Sequence, residues 1–342
     1  MAIATLRWGI LGTGRIARQF AAALGHARHG RLVAVASRGD AAPPAEFAGA
    51  RFHVGYDALL ADPAVDAVYI ATPHPSHAEW AIRTAEAGKH ILCEKPIGMN
   101  AAEAEAMIAA ARRHDVFLME AFMNRVHPMT AALVGLLRAG VIGRPRLIRA
   151  AFGYAKKFDA ASRTYDRALG GGGILDVGCY PVSIARLIAG AVANTPFADP
   201  IGLTAAGHVG ATGIDEWAVA TLEFPGQLYA QVATGVAVAM DNTVRIDGER
   251  GHIHVPSPWW CSGREGGRGI IAVHAGGTTT EHVVETADWL YAIEADAVAR
   301  HIPGRQVPAM GWDDTLGNMR TLDAWRAAIG LTYAADSNGA SA

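Results

Sequence analysis

The chain has few cysteines, little net charge and no long apolar run. Its three cysteines, Cys93, Cys179 and Cys261, are too few and too unevenly spaced for a disulfide framework or a zinc site. The formal net charge of -2, with dispersed basic residues, provides no electrostatic footprint for nucleic acid. No apolar run approaches the roughly eighteen residues of a membrane helix, and residues 1–7 lack the features of a secretory signal. We therefore expect a cytoplasmic protein with neither a membrane nor a nucleic-acid partner.

Apolar residues are abundant, and they follow two different patterns along the chain. Hydrophobic residues make up 51% of the 342 positions, which is enough to bury the cores of two domains. Over residues 1–122, short apolar runs alternate with segments of helical spacing, as in a parallel sheet covered by helices. This part is predicted to be an α/β, doubly wound (Rossmann) domain. Its predicted strands are 8–11, 32–36, 68–71, 90–93 and 116–119.

The second pattern is a succession of strands without helices between them. Runs 217–224 and 227–238 alternate with period two, and Pro225 and Gly226 make a turn between them. Such runs are typical of antiparallel strands. We therefore predict an α+β domain for substrate binding and dimerisation, with an open, mostly antiparallel sheet, over residues 123–312.

The end of the chain is predicted to return to the first domain. Residues 313–334 have helical spacing of large apolar side chains, which predicts a helix that packs back near the domain junction. Residues 335–342 are small and polar, so we expect a flexible tail there.

A glycine-rich turn follows the first predicted strand and opens a helical pattern. Gly12 allows the tight turn, Gly14 lets the backbone approach a pyrophosphate, and Ala17 permits close packing of helix on strand. The helix N-terminus would face the phosphate charge. The turn is therefore predicted to bind a dinucleotide through Gly12, Thr13, Gly14, Arg15 and Ile16.

The end of the second predicted strand indicates which dinucleotide is bound. NAD enzymes usually place an acid there to bind the ribose 2'-hydroxyl, whereas this chain has Ser37 and Arg38. A hydroxyl and a guanidinium suit the additional phosphate of NADP. Asp40 lies slightly beyond and leaves NAD as the alternative. We predict NADP.

Two polar segments follow neighbouring predicted strands. Ligands of open parallel sheets bind at the carboxyl ends of strands, so both segments are candidates for the cofactor site. His74 and His77 also have the spacing of metal ligands, but no carboxylate or cysteine completes a site, and no metal is predicted. The candidate cofactor-binding residues at these strand ends are Thr72, Pro73, His74, His77, Glu94, Lys95 and Pro96.

Four segments of the chain carry a resemblance to a known family: 71–77, 87–96, 119–128 and 172–180. In this order and spacing they resemble the glucose-fructose oxidoreductase, inositol dehydrogenase and rhizopine-catabolism family (Gfo/Idh/MocA). The residues of the last two segments most resemble those of the branch that contains trans-dihydrodiol dehydrogenases and NADP-dependent D-xylose dehydrogenases. The resemblance implies hydride transfer between a nicotinamide and a carbinol carbon of a sugar, cyclic polyol or dihydrodiol. It also implies that the histidine-bearing segment lies along the cofactor.

The resemblance implies that Lys95, Asp176 and Tyr180 are catalytic. In this family the lysine reaches the active site, and an aspartate is followed four residues later by the proton-transfer residue. A free tyrosine has a pKa of about 10, so a role as base requires the Lys95 ammonium to lower it. The four-residue spacing at a predicted helix start would place Asp176 and Tyr180 on one face. The alternative is a core tyrosine and a capping aspartate.

Two arginines complete the predicted site. The resemblance implies that Arg163 lies near the substrate, and Arg125, within the third segment, is a further candidate for substrate binding together with Asp176 and Tyr180. Two other functions stay open for this fold: redox-assisted glycoside hydrolysis with a bound dinucleotide, and nucleotide sensing without turnover.

The predicted strand 227–238 has one face that is suited to self-association. One face carries larger apolar residues that can pack on the domain's own helices, and the other is small and apolar. Packing of that second face on its own copy would make a homodimer, as in relatives, or a dimer of dimers. The first face comprises Leu228, Ala230, Val232, Val236 and Val238, and the second Tyr229, Gln231, Ala233, Gly235, Ala237 and Ala239.

Overall fold

The computed structural model describes residues 3–40 and 43–337 of the chain. Within them, a parallel sheet in the order β3-β2-β1-β4-β5-β6 forms the first domain, which confirms the predicted doubly wound fold. The strands are β1 Leu6–Leu11, β2 Gly30–Ser37, β3 Arg51–Val54, β4 Ala67–Ile70, β5 His90–Glu94 and β6 Leu118–Ala121. Its helices are α1 Arg15–Leu24, α2 Tyr56–Leu60, α3 His77–Glu86 and α4 Ala101–Arg113.

Strand β3 is absent from the sequence-based prediction. It pairs with β2 at the edge of the sheet, and none of its four residues is fully buried. By contrast, all four residues of the inner strand β4 are buried. An edge strand does not need a continuous apolar run, and that run was the signal that identified the other strands.

The second domain contains a mostly antiparallel sheet in the order β14-β13-β12-β11-β7-β10-β9-β8, as predicted. Among these strands β7 and β10 pair in parallel. Helices α5 and α6 cover one face, and the other face is open. The elements are α5 Pro128–Arg138, β7 Pro145–Gly153, α6 Cys179–Ala193, β8 Gly202–Val209, β9 Asp215–Phe224, β10 Leu228–Gly235, β11 Val244–Gly248, β12 Gly251–Val255, β13 Gly267–Ala275 and β14 Thr278–Thr286.

One helical stretch, 167–193, is long and apolar enough to cross a membrane, with a mean hydropathy of 1.4 in its most apolar window. That window is completely buried inside the protein. Helix α6 lies in this stretch and packs against β7, β10 and α5. Its apolar composition is therefore accounted for by its position in the core.

The last helices, α7 Leu290–His301, α8 Trp312–Ala328 and α9 Ala334–Ser337, connect the two domains. Helix α7 packs on α1, so the chain returns to the first domain earlier than the predicted boundary at 313. Helix α8 packs on both α4 and α6. The predicted tail, 335–342, does not hold for its first residues, because α9 is helical and Asp336 pairs with Arg326 at 2.8 Å. Residues 338–342 lie outside the described part of the chain.

His77, the first residue of α3, connects the ends of two strands. Its Nε2 lies 2.9 Å from the carbonyl oxygen of Thr72, and its Nδ1 lies 3.0 Å from that of Pro96. A neutral imidazole has a single N–H, so it donates to one of these carbonyls at a time. The ring is completely buried, and burial lowers the pKa of His77 to about 4. The segments after β4 and β5 are thus held together by a neutral histidine.

We predict that His77 contributes a loss of stability as pH falls from about 6.5 to about 4, opposite in sign to the contribution of buried acids such as Glu120 and Asp215, whose pKa is raised by burial. The pKa of His77 is about 4 when folded, whereas an unfolded histidine titrates near about 6.5, so in this window the unfolded chain binds more protons. His127, whose pKa is also lowered to about 4 by burial, acts in the same direction. Urea unfolding at several pH values measures the slope. His77→Gln should reduce that slope by about one proton, and an unchanged slope in this variant would contradict the assignment.

Candidate active site

The glycine turn after β1 has the geometry of a phosphate-binding site. Gly12 has φ +102°, and a Cβ there would lie 2.8 Å from the carbonyl oxygen of Ala71. A Cβ on Gly14 would meet no described atom within 4 Å, so this side of the turn is open to a ligand. Within the described part of the chain no side chain caps the N-terminus of α1, which begins at Arg15. Its first N–H groups are therefore available to an anion, as a dinucleotide pyrophosphate requires.

Ser37 and Arg38 lie beside this turn. The N–H of Gly12 donates to the carbonyl oxygen of Ala36 at 2.9 Å, which joins the end of β2 to the turn. Arg38 is exposed. It lies near enough to Tyr56 for its positive charge to lower the pKa of that phenol, although burial has the larger effect and raises it. A cation at this edge is positioned to meet the ribose end of a dinucleotide.

Behind the site, buried polar side chains hold the backbone that follows β4 and β5. Tyr69 donates its hydroxyl hydrogen to Glu94, which also accepts from the N–H of Lys95 at 3.2 Å. Ser76 donates to the Thr72 hydroxyl at 2.9 Å. The side chains of Glu94 and His77 thus hold the backbone of the two proposed cofactor-binding segments. These segments include Pro73 and Pro96.

Lys95 reaches from the first domain into the second. Its ammonium donates to the backbone carbonyl oxygen of Asp176 at 2.5 Å and lies 5.3 Å from the centre of the Tyr180 ring. The structure therefore brings together the three residues predicted to be catalytic. Because an ammonium facing an aromatic ring is attracted to it, both contacts hold the lysine in place.

Asp176 lies in a π-helical turn, Ile174–Gly178, that leads into α6. Its carboxylate accepts from the Arg163 guanidinium at 2.9 Å and from the Tyr154 hydroxyl. Burial acts to raise the pKa of Asp176, but the nearby charges of Lys95 and Arg163 outweigh it and hold the pKa well below the ordinary value. Asp176 is therefore ionised, with a donor on each oxygen.

Arg163 connects Asp176 with His74. The Arg163 guanidinium lies 3.3 Å from His74 Nε2, and the other ring nitrogen lies 3.3 Å from the carbonyl oxygen of Gly170. Burial lowers the pKa of His74 well below its usual range. Because Arg163 can only donate, the neutral ring carries its proton on Nδ1 and donates it to Gly170.

No group of three or more metal-ligating side chains occurs within residues 3–40 and 43–337.

Tyr180 lies one turn beyond Asp176, in an aromatic cluster. Its ring contacts Phe122, Phe152 and Trp259 at centroid distances of 5.0 to 5.8 Å. Its hydroxyl donates to the sulfur of Met123 at 3.3 Å. Burial raises the pKa of Tyr180 well above its ordinary value, and the Glu94 charge raises it further. The expectation that Lys95 lowers this pKa is therefore wrong for the protein alone, because desolvation of the phenolate is the larger effect.

Arg125 lies elsewhere. Its guanidinium donates to Asp314 at 2.5 Å, to the Ser183 hydroxyl at 2.7 Å and to the Ala309 carbonyl at 2.8 Å. The side chain is 1% exposed, and Asp314 also pairs with Arg186. These contacts commit Arg125 to a buried ion-pair network beneath α8 rather than to substrate. The predicted substrate role of Arg125 is therefore corrected.

The sequence-based prediction missed two residues of the site, Tyr154 and Asp215. Tyr154 directly follows β7, where its aromatic ring continued the period-two pattern and carried no separate signal. Asp215 begins β9 and accepts from the N–H of Ile174 at 2.7 Å, which fixes the start of the turn that bears Asp176. It lies far from that turn in sequence, so only the folded chain reveals the contact.

The amino-acid sequence matches two family models. Residues 6–122 match the oxidoreductase family model with an NAD-binding Rossmann fold, and residues 130–254 match the GFO/IDH/MocA C-terminal domain. Together they cover the first domain and the second domain as far as residue 254.

Curated relatives include trans-1,2-dihydrobenzene-1,2-diol dehydrogenases. The human enzyme is 36% identical over 263 residues, which cover 75% of this chain and 76% of the relative. The enzyme of Danio rerio is 38% identical over 262 residues, with 75% and 76% covered.

Solved structures show the same architecture. A 3-ketoreductase from Actinomadura kijaniata, crystallised with NADP and TDP-benzene, has a TM-score of 0.82 at 28% identity, covering 95% of this chain and 98% of its own. An aldose-aldose oxidoreductase from Caulobacter crescentus has a TM-score of 0.81 at 24% identity, with 95% and 97% covered, and shows the fold. With both domains matched and close relatives that are dehydrogenases, the chain belongs to the Gfo/Idh/MocA family of NAD(P)-dependent oxidoreductases.

Proposed function

We propose that this oxidoreductase uses NADP and acts on a carbinol carbon of a sugar, a cyclic polyol or a dihydrodiol. The observation that carries the proposal is the contact of Lys95 with the Asp176 carbonyl at 2.5 Å. It joins the strand end expected to face the nicotinamide with the helical turn that bears Asp176 and Tyr180. Relatives that act on a diol and on a ketone support this substrate class.

The chemistry of hydride transfer belongs to the nicotinamide when it is bound. In this proposal Tyr180 moves the proton at the substrate oxygen. Its raised pKa keeps the phenol protonated near neutral pH, so it can donate to the oxygen of a carbonyl that is being reduced, and the reverse reaction returns the proton. Lys95, 5.3 Å from the ring centre, stabilises the negative charge left on Tyr180. Asp176 orients the polar groups around it.

The NADP preference rests on Ser37 and Arg38 at the end of β2. Arg38 is exposed beside the phosphate-binding turn and supplies a fixed charge with several donors for a 2'-phosphate. The 3-ketoreductase relative was crystallised with NADP, which agrees with this preference. The cytoplasmic location expected from the sequence stays a prediction.

We also propose that the open face of the second sheet binds a second copy of the chain. Tyr229, Gln231 and Ala233 point to this face, as expected, whereas Gly235 is buried and Val238 is exposed, contrary to the expectation. Strand β10 ends at Gly235, so the period-two alternation does not continue to Val238. The strands enclose a groove of about 680 Å³, lined mainly by small residues such as Ala151, Ala205 and Ala233 and rimmed by Arg149 and Asp241. A two-fold axis would let small residues interlock and opposite charges meet.

An assay with NADP across a panel of sugars, polyols and diols tests the proposed reaction. Net formation of NADPH with one of these substrates supports it. Glycoside cleavage without net NADPH would instead indicate redox-assisted hydrolysis, and tight cofactor binding without turnover would indicate a sensor.

We predict that Arg38→Ala weakens NADP binding by about ten- to a hundred-fold while NAD binding changes little. A charged hydrogen bond to phosphate contributes about 1.5 to 3 kcal/mol, and NAD has no phosphate at this position. Isothermal titration calorimetry measures both affinities. Arg31→Ala, at the opposite end of β2, is the matched control and should leave both unchanged. Equal affinity of the parent protein for the two cofactors would overturn the preference.

We predict that Lys95→Ala and Tyr180→Phe each lower turnover by about two to four orders of magnitude, with NADP affinity largely kept. The first removes the charge that stabilises the phenolate, and the second removes the transferable proton. Steady-state kinetics and cofactor titration separate the two effects. A normal rate in Tyr180→Phe would show that the proton comes from another group, and His74 would then be tested first.

We predict a mass of at least twice the 35.9 kDa chain in light scattering at low micromolar concentration. Ala233→Arg should shift this mass toward one chain, because it places an unpaired charge at the centre of the contact. Ala139→Arg, at the exposed end of α5 on the opposite side of the sheet, should leave the mass unchanged. A monomeric parent protein would contradict the assigned face.

A further inference from the structure

Four successive glycines, 170–173, precede the turn of the active site, and the structure leaves little space around them. A Cβ on Gly171 would lie 2.6 Å from the carbonyl oxygen of Thr164, and a Cβ on Gly172 would overlap Oδ1 of Asp215. Side chains in folded proteins do not approach other atoms that closely. The run is therefore a tightly packed segment, and the space left by its missing side chains is taken in part by the Asp215 carboxylate.

Asp215 begins β9 and is completely buried. Its Oδ2 accepts from the N–H of Ile174 at 2.7 Å, while its Oδ1 has no hydrogen-bond partner among the described residues. The helical stretch that contains the active-site turn and α6 starts at this point, and the first N–H groups of a helix have no acceptor within the helix. Asp215 therefore caps this stretch from a different strand, at the end where a negative charge is favourable.

The charge of Asp215 is only partly compensated. Two titratable groups face it from other elements, the phenol of Tyr333 and the guanidinium of Arg326 in α8. Arg326 also donates to Asp323 at 2.6 Å and to Asp336 at 2.8 Å, so its charge is shared. Burial raises the pKa of Asp215 to about 7, although the N–H groups of the turn act in the opposite direction. The carboxyl therefore changes its charge near neutral pH, and its ionisation reduces the free energy of unfolding.

Lys95 is held by the backbone of the turn that Asp215 caps. Its ammonium donates to the backbone carbonyl oxygen of Asp176 at 2.5 Å. The N–H of Asp176 donates in turn to the carbonyl oxygen of Gly172 at 3.2 Å, two residues before Ile174. A shift at the start of the turn therefore moves the acceptor that orients Lys95, and a displacement of about 1 Å can lower a rate by about a hundred-fold.

We propose that Asp215 is a positioning residue for the reaction: its ionised carboxylate holds the start of the turn in the place from which the Asp176 carbonyl orients Lys95. This inference rests on the proposed function, because it concerns the placement of a catalytic lysine. It assigns a role to a residue that is too deeply buried to touch substrate or cofactor. It also accounts for a buried charge that does not stabilise the fold.

Asp215→Asn replaces the carboxylate with an amide of nearly the same shape, which can still accept from Ile174 but carries no charge. With an alcohol that the parent enzyme oxidises, kcat at about pH 8 should fall about ten-fold, while KM and NADP affinity change little. The midpoint of thermal unfolding at about pH 8 should stay the same or rise, because the buried charge is gone. Steady-state kinetics, calorimetric titration with NADP and thermal unfolding measure these quantities. A lower rate without lower stability distinguishes a positioning role from a structural one.

The dependence of kcat on pH is a second readout. In the parent enzyme kcat should rise as pH rises through about 7, where Asp215 ionises. In Asp215→Asn this acid limb should disappear and leave kcat uniformly low. The contribution of Asp215 to stability should have the opposite slope, because the folded chain binds one more proton than the unfolded chain between about pH 4 and about pH 7. Urea unfolding across this window should show that the variant lacks this contribution.

Two matched variants separate the charge of Asp215 from other contacts of the same region. Thr234→Val removes a neutral hydrogen bond to the Gly173 carbonyl, which spans 3.0 Å, and should keep the acid limb whatever its effect on kcat. Asp166→Asn removes the charge of a carboxylate that accepts from the N–H of Ala168 at 2.8 Å, upstream of the glycine run. This second variant should leave both kcat and its pH dependence unchanged.

Three results with an active parent enzyme would overturn the inference and leave the proposed function standing. A normal kcat in Asp215→Asn would show that the charge is not needed. A joint loss of stability and activity, or failure of the variant to fold, would assign Asp215 a structural role. An acid limb that persists in the variant would indicate another group, and Glu120, whose pKa burial raises to about 8, would be tested first. A parent enzyme that oxidises no alcohol of the panel would overturn the proposed function and this inference together.

Discussion

Asp176, whose buried carboxylate is ionised, contacts groups from three other segments of the chain. Tyr154 follows β7, Arg163 lies in the next loop, and Lys95, from the end of β5, donates to the carbonyl of the same residue. Burial alone would neutralise such an acid, and two cations reverse that effect. Removing Lys95 or Arg163 would leave the buried carboxylate of Asp176 with less compensating charge, so the contacts that join the two domains here depend on one another.

The surroundings of Tyr180, one turn beyond Asp176, shift its pKa in the opposite direction. Tyr180 lies among Phe122, Phe152 and Trp259, and its hydroxyl contacts a thioether, so the cost of burying a phenolate there exceeds the stabilisation by Lys95. In the proposed reaction Tyr180 therefore starts protonated, and Lys95 stabilises the negative charge that proton transfer leaves on it. Electrostatic stabilisation that is arranged in advance costs little reorganisation at the moment of reaction.

Those parts of the molecule that repeat a simple pattern could be predicted from the sequence. The inner strands of the first sheet are continuous apolar runs and the glycine turn has a fixed motif, whereas the edge strand β3 has neither feature. Residues of the site that depend on distant partners could not be predicted. Arg125 belongs to a motif of the family, but its partner Asp314 lies 189 residues away and determines that it is structural. Tyr154 joins the site only through its contact with Asp176.

The period of two along β7 and β10 places the site and the proposed interface on opposite sides of the same strands. Ala151 and Ala233 face the open side, while their neighbours Phe152 and Thr234 face α6. Thr234 donates from its single hydroxyl toward the carbonyls of Phe152 and Gly173, each at 3.0 Å, and Gly173 begins the turn that carries Asp176. A second copy bound to the open face would therefore stiffen the strands that position Tyr154 and the turn. The proposed self-association would thus be linked mechanically to the geometry around Asp176 through one layer of backbone.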